Sequence, residues 1–562
     1  MKRLLSVTAI AVCAACVWAG SPDPVVANPI NLNYQFGPKE DNTPPRREAA
    51  DPVIELWGDD YYLFASKSSG YWRSSDLADW EYIPAPSIVT INEYAPTVCA
   101  IDGEYYYMAS DVNRIFKTTT PADGNSWKEI KCNFLIKQHD PCIWQDDDGR
   151  VYLYWGCHDK EPIMGVEVDV ANGFAPKGEP VALIEHNIDK YGWEVPGDNN
   201  EETFHNGWNE GPAMLKQNGK YYLQYAAPGT QFRIYGDGVY VGDSPLGPFK
   251  AMESNPFSFK PGGFIAGAGH GHTFRDRYGN IWHVATMKIS ERHWFERRLG
   301  LFPVVLDEKT QTMRAITEWT DYPFVIPQRK FDASGKSLSS GYKQLAAGAK
   351  AKASSSASGH EAALASDDIV ETWWAASTGN KGEWLEIDLG KVCTINALQP
   401  NFADEEMPVY RPYDFPVVYR YAVEASKDGK KWEVIADRRD NNRDMPHELI
   451  VLDKPVKARY VRVVNDKDIE GQFSMFDLRV FGSDGKKALD KKARYRVERD
   501  DSDPRHITVS WDAVPGAARY IVRWGIAGSG VLNNSAEVPS GTSLDARWYN
   551  RDSDYDFEVT AY

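Results

Sequence analysis

The chain has 562 residues, 42% hydrophobic and 25% charged, a balance that excludes a largely disordered polypeptide. At about 150 residues per domain it holds three or four domains. A formal net charge of -17 argues against a nucleic-acid partner, which needs an electropositive face.

Residues 1–20 join a positive start at Lys2 and Arg3 to a short apolar run, and read as a secretory signal peptide. The Ala14-Ala15-Cys16 triplet offers a second reading, a lipid anchor on Cys16. The expected location is therefore exported: periplasmic or secreted, or held at the outer membrane as a lipoprotein. Of seven cysteines, five follow the signal. They are scattered and show no zinc-ligand spacing, so neither a disulfide framework nor a structural zinc site is expected.

Five segments then share one pattern: DPVIELWGDDYYLFAS from Asp51, APTVCAIDGEYYYMAS from Ala95, DPCIWQDDDGRVYLYWG from Asp140, GPAMLKQNGKYYLQYAA from Gly211 and GHTFRDRYGNIWHVATM from Gly271. Each is an apolar strand, a tight Asp-, Asn- or Gly-rich turn and an aromatic strand, which is the signature of a β-hairpin. They recur every 45 to 70 residues or so, the spacing of propeller blades, with no helical pattern between them. The fold class expected is all-β, with a five-bladed β-propeller over residues 30–333. The run Asp146-Asp147-Asp148 lacks the later ligands of a calcium loop and reads as a solvated turn.

After a Ser/Gly/Ala-rich linker (334–353), short alternating strands such as EWLEIDLG and ARYVRVV predict a β-sandwich over residues 345–484. Residues 486–562, with Trp511 and Tyr555, predict a second, smaller sandwich.

Strand starts in a propeller converge on one axis, so residues distant in sequence meet there. Asp51, Asp140 and Glu210 stand at or beside three of the five starts. Gathered in one pit, three carboxyl groups would raise one another's pKa values, a mark of acid/base sites. Glycoside hydrolysis needs such a set: one protonated carboxyl and one ionised. No P-loop, GxSxG elbow, HExxH or dinucleotide-binding glycine pattern competes with it. The excursion at 183–209 brings Tyr191, Trp193, Phe204 and Trp208, and Trp193 and Trp208 either stack on sugar faces or pack the loop. Arg298 either reaches substrate or Glu210, or forms a surface charge pair.

The segments HDPCIWQDDDGRVYLYWG, WNEGPAMLKQNGKYYL, YWRSSDLADWEYI and GAGHGHTFRDRYGNIW, with Asp51-Pro52, resemble glycoside hydrolase family 43. The resemblance implies a five-bladed propeller and an inverting mechanism, with Asp51 as general base, Asp140 tuning the acid and Glu210 as general acid. It also implies a histidine at the propeller centre, here His270, that contacts substrate or binds a metal or water; a packed core histidine is the other reading. The family commonly has Trp where this chain has Tyr94. ALASDD, TWW, WLEIDLG, SKDGKKW and RYVRVV resemble a discoidin (factor 5/8 type C) domain, a kind that often binds glycans, and the last region resembles fibronectin type III, a spacer.

The expected function is cleavage of side chains on plant polysaccharide, as an α-L-arabinofuranosidase or β-xylosidase. No cofactor is expected to be needed for the chemistry, with structural calcium an option, and carbohydrate is the expected partner. Two alternatives stand beside it: a non-catalytic glycan-binding or adhesion protein with a degenerate propeller, and a propeller glycosidase of other specificity, such as a galactosidase.

Overall fold

The structure, a computed structural model, describes residues 23–36, 46–202, 206–289, 292–332, 335–408, 417–486 and 489–562. The expected signal with Cys16, and Phe204, lie outside the described residues. The architecture is all-β, and helix among the described residues is confined to short 3-10 turns such as Gly192–Glu194.

Five antiparallel units follow one another. The first runs through Val53–Trp57, Asp60–Phe64, Gly70–Ser74 and Glu81–Pro84, and the second through Thr97–Ile101, Glu104–Met108, Ile115–Thr118 and Lys128–Ile130. The third opens with Cys142–Gln145, Val151–Trp155 and Ile163–Asp169. The fourth (209–251) and fifth (266–315) share one sheet through a single parallel pairing, Gly236 with Ala268. The opening strand of each unit touches that of the next, and the fifth unit's opening strand, Ala266–Arg275, touches the first unit's.

Alternation along the aromatic strands explains this arrangement. In a strand, neighbouring side chains point to opposite faces. Tyr62 and Phe64 of the first unit join Val98, Tyr105 and Tyr107 of the second in one core. Tyr61 and Leu63 join Phe274, Trp282 and Val284 of the fifth in another. Both faces are buried, so these strands are aromatic or aliphatic almost throughout rather than polar at every second residue.

A left-handed residue stands two places before the first three opening strands, at Asp51 (φ 52°), Ala95 (45°) and Asp140 (49°), and inside the fourth and fifth, at Gly211 (59°) and His270 (43°). For the four non-glycine residues this conformation costs about 1–2 kcal/mol each, so surrounding contacts must hold it. One such contact comes from the neighbouring unit. Ser66 Oγ accepts from Ala95 N at 2.8 Å, Ser110 Oγ from Asp140 N at 2.9 Å, and Thr286 Oγ1 of the fifth unit from Asp51 N of the first at 2.8 Å.

The first sandwich pairs Lys343–Gln344, Ser474–Ser483, Trp384–Phe402, Ile450–Asn465, Tyr421–Ser426 and Glu433–Asp437 in order, over its own apolar core. Part of the expected linker is ordered strand: Lys350–Ala353 pairs with Leu385–Asp388. The last module holds two small sheets. It does not hang free as a spacer, because Trp511, Trp524, Trp548 and Tyr549 share one core with Trp193, Tyr225 and Phe259 of the fourth-unit region. The Asp146 turn is tied by protein groups: its carboxylate meets Lys216 Nζ and accepts from Tyr221 Oη at 2.7 Å. Asp148 pairs with Arg150.

Thr286→Val leaves the buried Asp51 N–H without its acceptor. The expected cost is about 1–3 kcal/mol, seen as an earlier denaturation midpoint by tryptophan fluorescence. An unchanged midpoint contradicts the role given to this hydroxyl.

Candidate active site

The left-handed starts converge on an open cavity of about 540 Å³, lined by Asp51, Asp140, Glu210, His270 and Arg297, with Tyr94, Cys157, Trp208, Phe232, Trp294 and Phe295 among its walls. All three expected carboxyl groups therefore meet in one pit.

Asp51 is buried. Its Oδ2 accepts from Ser66 Oγ at 2.5 Å, and its Oδ1 lies 3.4 Å from Arg297 Nη1 and 3.3 Å from His270 Nδ1. Burial pushes the Asp51 carboxyl up, but Arg297, His270 and the Ser66 hydroxyl together outweigh it and hold it below its ordinary value. Arg297 is fixed from behind: Nη2 donates to Glu48 Oε1 at 2.7 Å, and Nη1 to Thr230 Oγ1 at 3.2 Å.

Asp140 behaves oppositely. Burial raises its pKa first of all; repulsion from Glu210 and Asp51 adds to this, His270 opposes it, and the result is about 7. Environment thus separates two aspartates that share one pit. Glu210 is clasped by donors: Trp208 Nε1 at 2.8 Å and Cys157 Sγ at 3.3 Å on Oε2, and the Tyr235 hydroxyl on Oε1.

His270 Nδ1 is 3.8 Å from Asp140 Oδ2, while its ring packs over Gly211. Burial disfavours its charge, but Asp51, Asp140, Glu210 and Asp237 raise its pKa above the ordinary value. In this setting the ring is a cationic partner for the carboxylates around it. Among the described residues, one group of three metal-capable side chains is found: atoms of Asp140, Cys157 and Glu210 lie within 4.8 Å of one another.

Two expected contact residues lie elsewhere. Trp193 is fully buried, its ring 5.6 Å from that of Tyr225. The 3-10 turn carrying it is pressed under the last module, where a Cβ on Gly192 would fall 2.3 Å from the Tyr549 carbonyl oxygen. Trp193 is core, not a sugar platform. Arg298 is fully buried too, and donates to His447 Nε2 of the first sandwich at 2.9 Å. Alternation sends Arg297, not Arg298, to the cavity. Trp208 does line the pit, holding Glu210 through its indole N–H and stacking on His158 at 6.4 Å.

Arg297, Tyr235, Cys157 and Ser66 were not singled out from the sequence. A signal existed for two of them: the five aromatic strands end AS, AS, GC, AA and AT, so Ser66 and Cys157 occupy equivalent places near the pit. Tyr235 follows no such pattern.

A pit holding several carboxyl groups in contrasting environments, with aromatic walls, is the equipment of a glycoside hydrolase. Residues 45–309 match the sequence model of glycosyl hydrolases family 43, and residues 350–477 that of the F5/8 type C domain. Over these residues the chain is therefore similar to a family 43 domain followed by an F5/8 type C domain.

Among curated relatives, a segment is 26% identical over 260 residues to "Beta-D-galactofuranosidase xynD" of Aspergillus niger, covering 40% of this chain and 68% of that protein. Another is 29% identical over 182 residues to a "Beta-xylosidase" of Xylanibacter ruminicola, covering 26% of this chain and 52% of the relative. A "Xylosidase/arabinosidase" of Bacteroides ovatus is 26% identical over 184 residues, covering 26% and 51%. The chain thus spans about half the length of the last two. Of solved structures, one titled "Glycoside hydrolase" aligns with a TM-score of 0.46 at 19% identity, covering 77% of this chain and 97% of that one. A thermostable family-43 glycoside hydrolase aligns at 0.42 and 22% identity, covering 55% and 98%.

Gly211 has both a left-handed backbone and no room for a side chain: a Cβ there would sit 2.5 Å from His270 Cδ2. Gly211→Ala should displace His270 and Glu210 together. A shift of about 1 Å at such a site costs on the order of 100-fold in rate. A folded Gly211→Ala protein that keeps the wild-type rate on a cleaved aryl glycoside contradicts the stated packing.

Proposed function

We propose that the chain is an exported, inverting glycosidase that removes arabinofuranosyl or xylosyl units from plant polysaccharide side chains. The observation that carries this reading is the contrast within one cavity between Asp51, held ionised by Arg297 and His270, and Asp140, held protonated beside Glu210. In this reading Asp51 takes a proton from the attacking water. Glu210, presented by Trp208 and Tyr235, gives a proton to the departing oxygen. Asp140, pushed up to about 7, holds a proton beside Glu210 in mildly acidic solution, and His270 lies against both Asp51 and Asp140. Inversion leaves room for one water between base and acid, about 6.5–9.5 Å.

The same reading takes the five units as blades of a five-bladed propeller over residues 30–333. Its support is the cycle of opening-strand contacts and the hydrogen bond from Asp51 to Thr286 across the first and fifth units. Residues 1–20 serve export, Cys16 being the anchor point if the protein is lipidated, residues 345–484 contact glycan, and residues 486–562 form a fibronectin type III-like module. Trp208, Trp294 and Phe295 offer sugar-facing aromatic surface, Trp294 being 59% exposed. Tyr94, under the Lys67 ammonium at 3.9 Å from its ring centre, shapes the pit where the family commonly has Trp.

Aryl glycosides of arabinofuranose, xylopyranose, galactopyranose and galactofuranose test the substrate class. Cleavage of the arabinofuranoside or xyloside is expected, and cleavage of a galactoside alone overturns that choice. Glu210→Gln and Asp51→Asn should each lower kcat by roughly 10²–10⁴-fold while sugar binding persists. A wild-type protein that binds these sugars and cleaves none supports the adhesion alternative.

A further inference from the structure

The strand Arg297–Asp307 opens with two buried arginines on opposite faces. Arg297 supports Asp51 and is itself held by Glu48. Arg298 turns away: its Nε donates to His447 Nε2 at 2.9 Å, and its Nη1 donates to the carbonyl oxygens of Arg47 at 3.1 Å and Arg297 at 3.0 Å. Arg47, next in sequence to Glu48, is gripped by two carboxylates of the F5/8 type C region: Asp404 at 2.6 Å and Asp444 at 2.9 Å. Asn401 Oδ1 meets His447 Nδ1 at 2.9 Å and orients the ring.

A second tie runs to the cavity wall. Arg292 reaches Glu405 at 3.3 Å and lies over Trp373 at 4.9 Å. Two and three residues on stand Trp294 and Phe295, both lining the pit.

We propose that the F5/8 type C domain is a structural part of the active site, in which Asp404, Asp444 and His447 are positioning residues that fix Asp51 through Arg47, Arg298 and the Glu48–Arg297 pair. The proposal rests on the reading of Asp51 as the base. Its physical ground is the kind of contact involved. Domains joined only by a tether meet through modest, wet interfaces and move against one another. Here two arginines, Arg47 and Arg298, are fully buried at the contact, and removing the partner of a buried charge is strongly unfavourable. The two domains are therefore held in one arrangement. The network reaches the carboxylate along the backbone of residues 47–48 and 297–298, not through a contact with substrate.

The test uses the full chain and the aryl glycoside that the wild type cleaves. His447→Leu and Asp404→Asn are each expected to lower kcat by about tenfold or more with KM within about twofold. His447→Gln, which keeps an acceptor for Arg298, should recover most of the rate. Asp51→Asn runs beside them. If Asp51→Asn is inactive while folded His447→Leu and Asp404→Asn turn over at the wild-type rate, the brace is wrong and the base reading stands. If Asp51→Asn is active, the base reading itself falls. Should His447→Leu fail to fold, Asp404→Asn, close in shape to the wild type, carries the same comparison. A change confined to KM also overturns the proposal.

Discussion

A carboxylate stays ionised in a buried pit only when a cation is fixed against it. The Arg297 guanidinium, 3.4 Å from Asp51, supplies that cation, and His270 on the other flank adds to it. Around this contact the remaining acidic groups fall into place. Asp140 is pushed up to about 7, by burial first and then by repulsion from Glu210 and Asp51. Glu210 accepts from an indole, a phenol and a thiol, none of which brings a charge. Two aspartates in one pit are thus set apart, Asp51 by its cations and Asp140 by burial and like-charge repulsion.

The backbone sustains this division at some cost. Three of the four groups that exchange charge, Asp51, Asp140 and His270, occupy left-handed positions that side chains with a Cβ avoid. Strain gathered at one place in a structure commonly accompanies function. Hydroxyl groups at the ends of neighbouring aromatic strands hold Asp51 and Asp140 in that conformation, so each unit's geometry depends on the unit beside it.

Much of this was legible in the sequence because it is written in local chemistry. Turn residues and aromatic strands marked five hairpins, and repetition placed Asp51, Asp140 and Glu210 at related strand starts. Other features depended on contacts that local pattern does not encode. Arg297 and Arg298 are adjacent and alike, and only the packing of the strand tells which one faces the cavity. Trp193 reads from the sequence as either a sugar platform or loop packing, and a module more than three hundred residues later, which covers it, decides for packing. The Arg47–Asp404 and Arg298–His447 pairs span 357 and 149 residues, and neither Asp404 nor His447 lies in a recognisable motif. Asp146 shows the converse: an acidic run suggestive of a cation site is neutralised by Lys216, which comes from the next unit.

The central claim is electrostatic, and the pH dependence of kcat/KM for the wild-type protein tests it most directly. That profile reports the ionisations of the free enzyme. With Asp51 held below its usual value, activity should rise on an acidic limb lying below the ordinary carboxylate range; with the proton on Asp140 lost as pH passes about 7, it should fall on an alkaline limb near neutrality. A rate that climbs steadily through pH 7 to 9, or an acidic limb displaced to near-neutral pH, would contradict it.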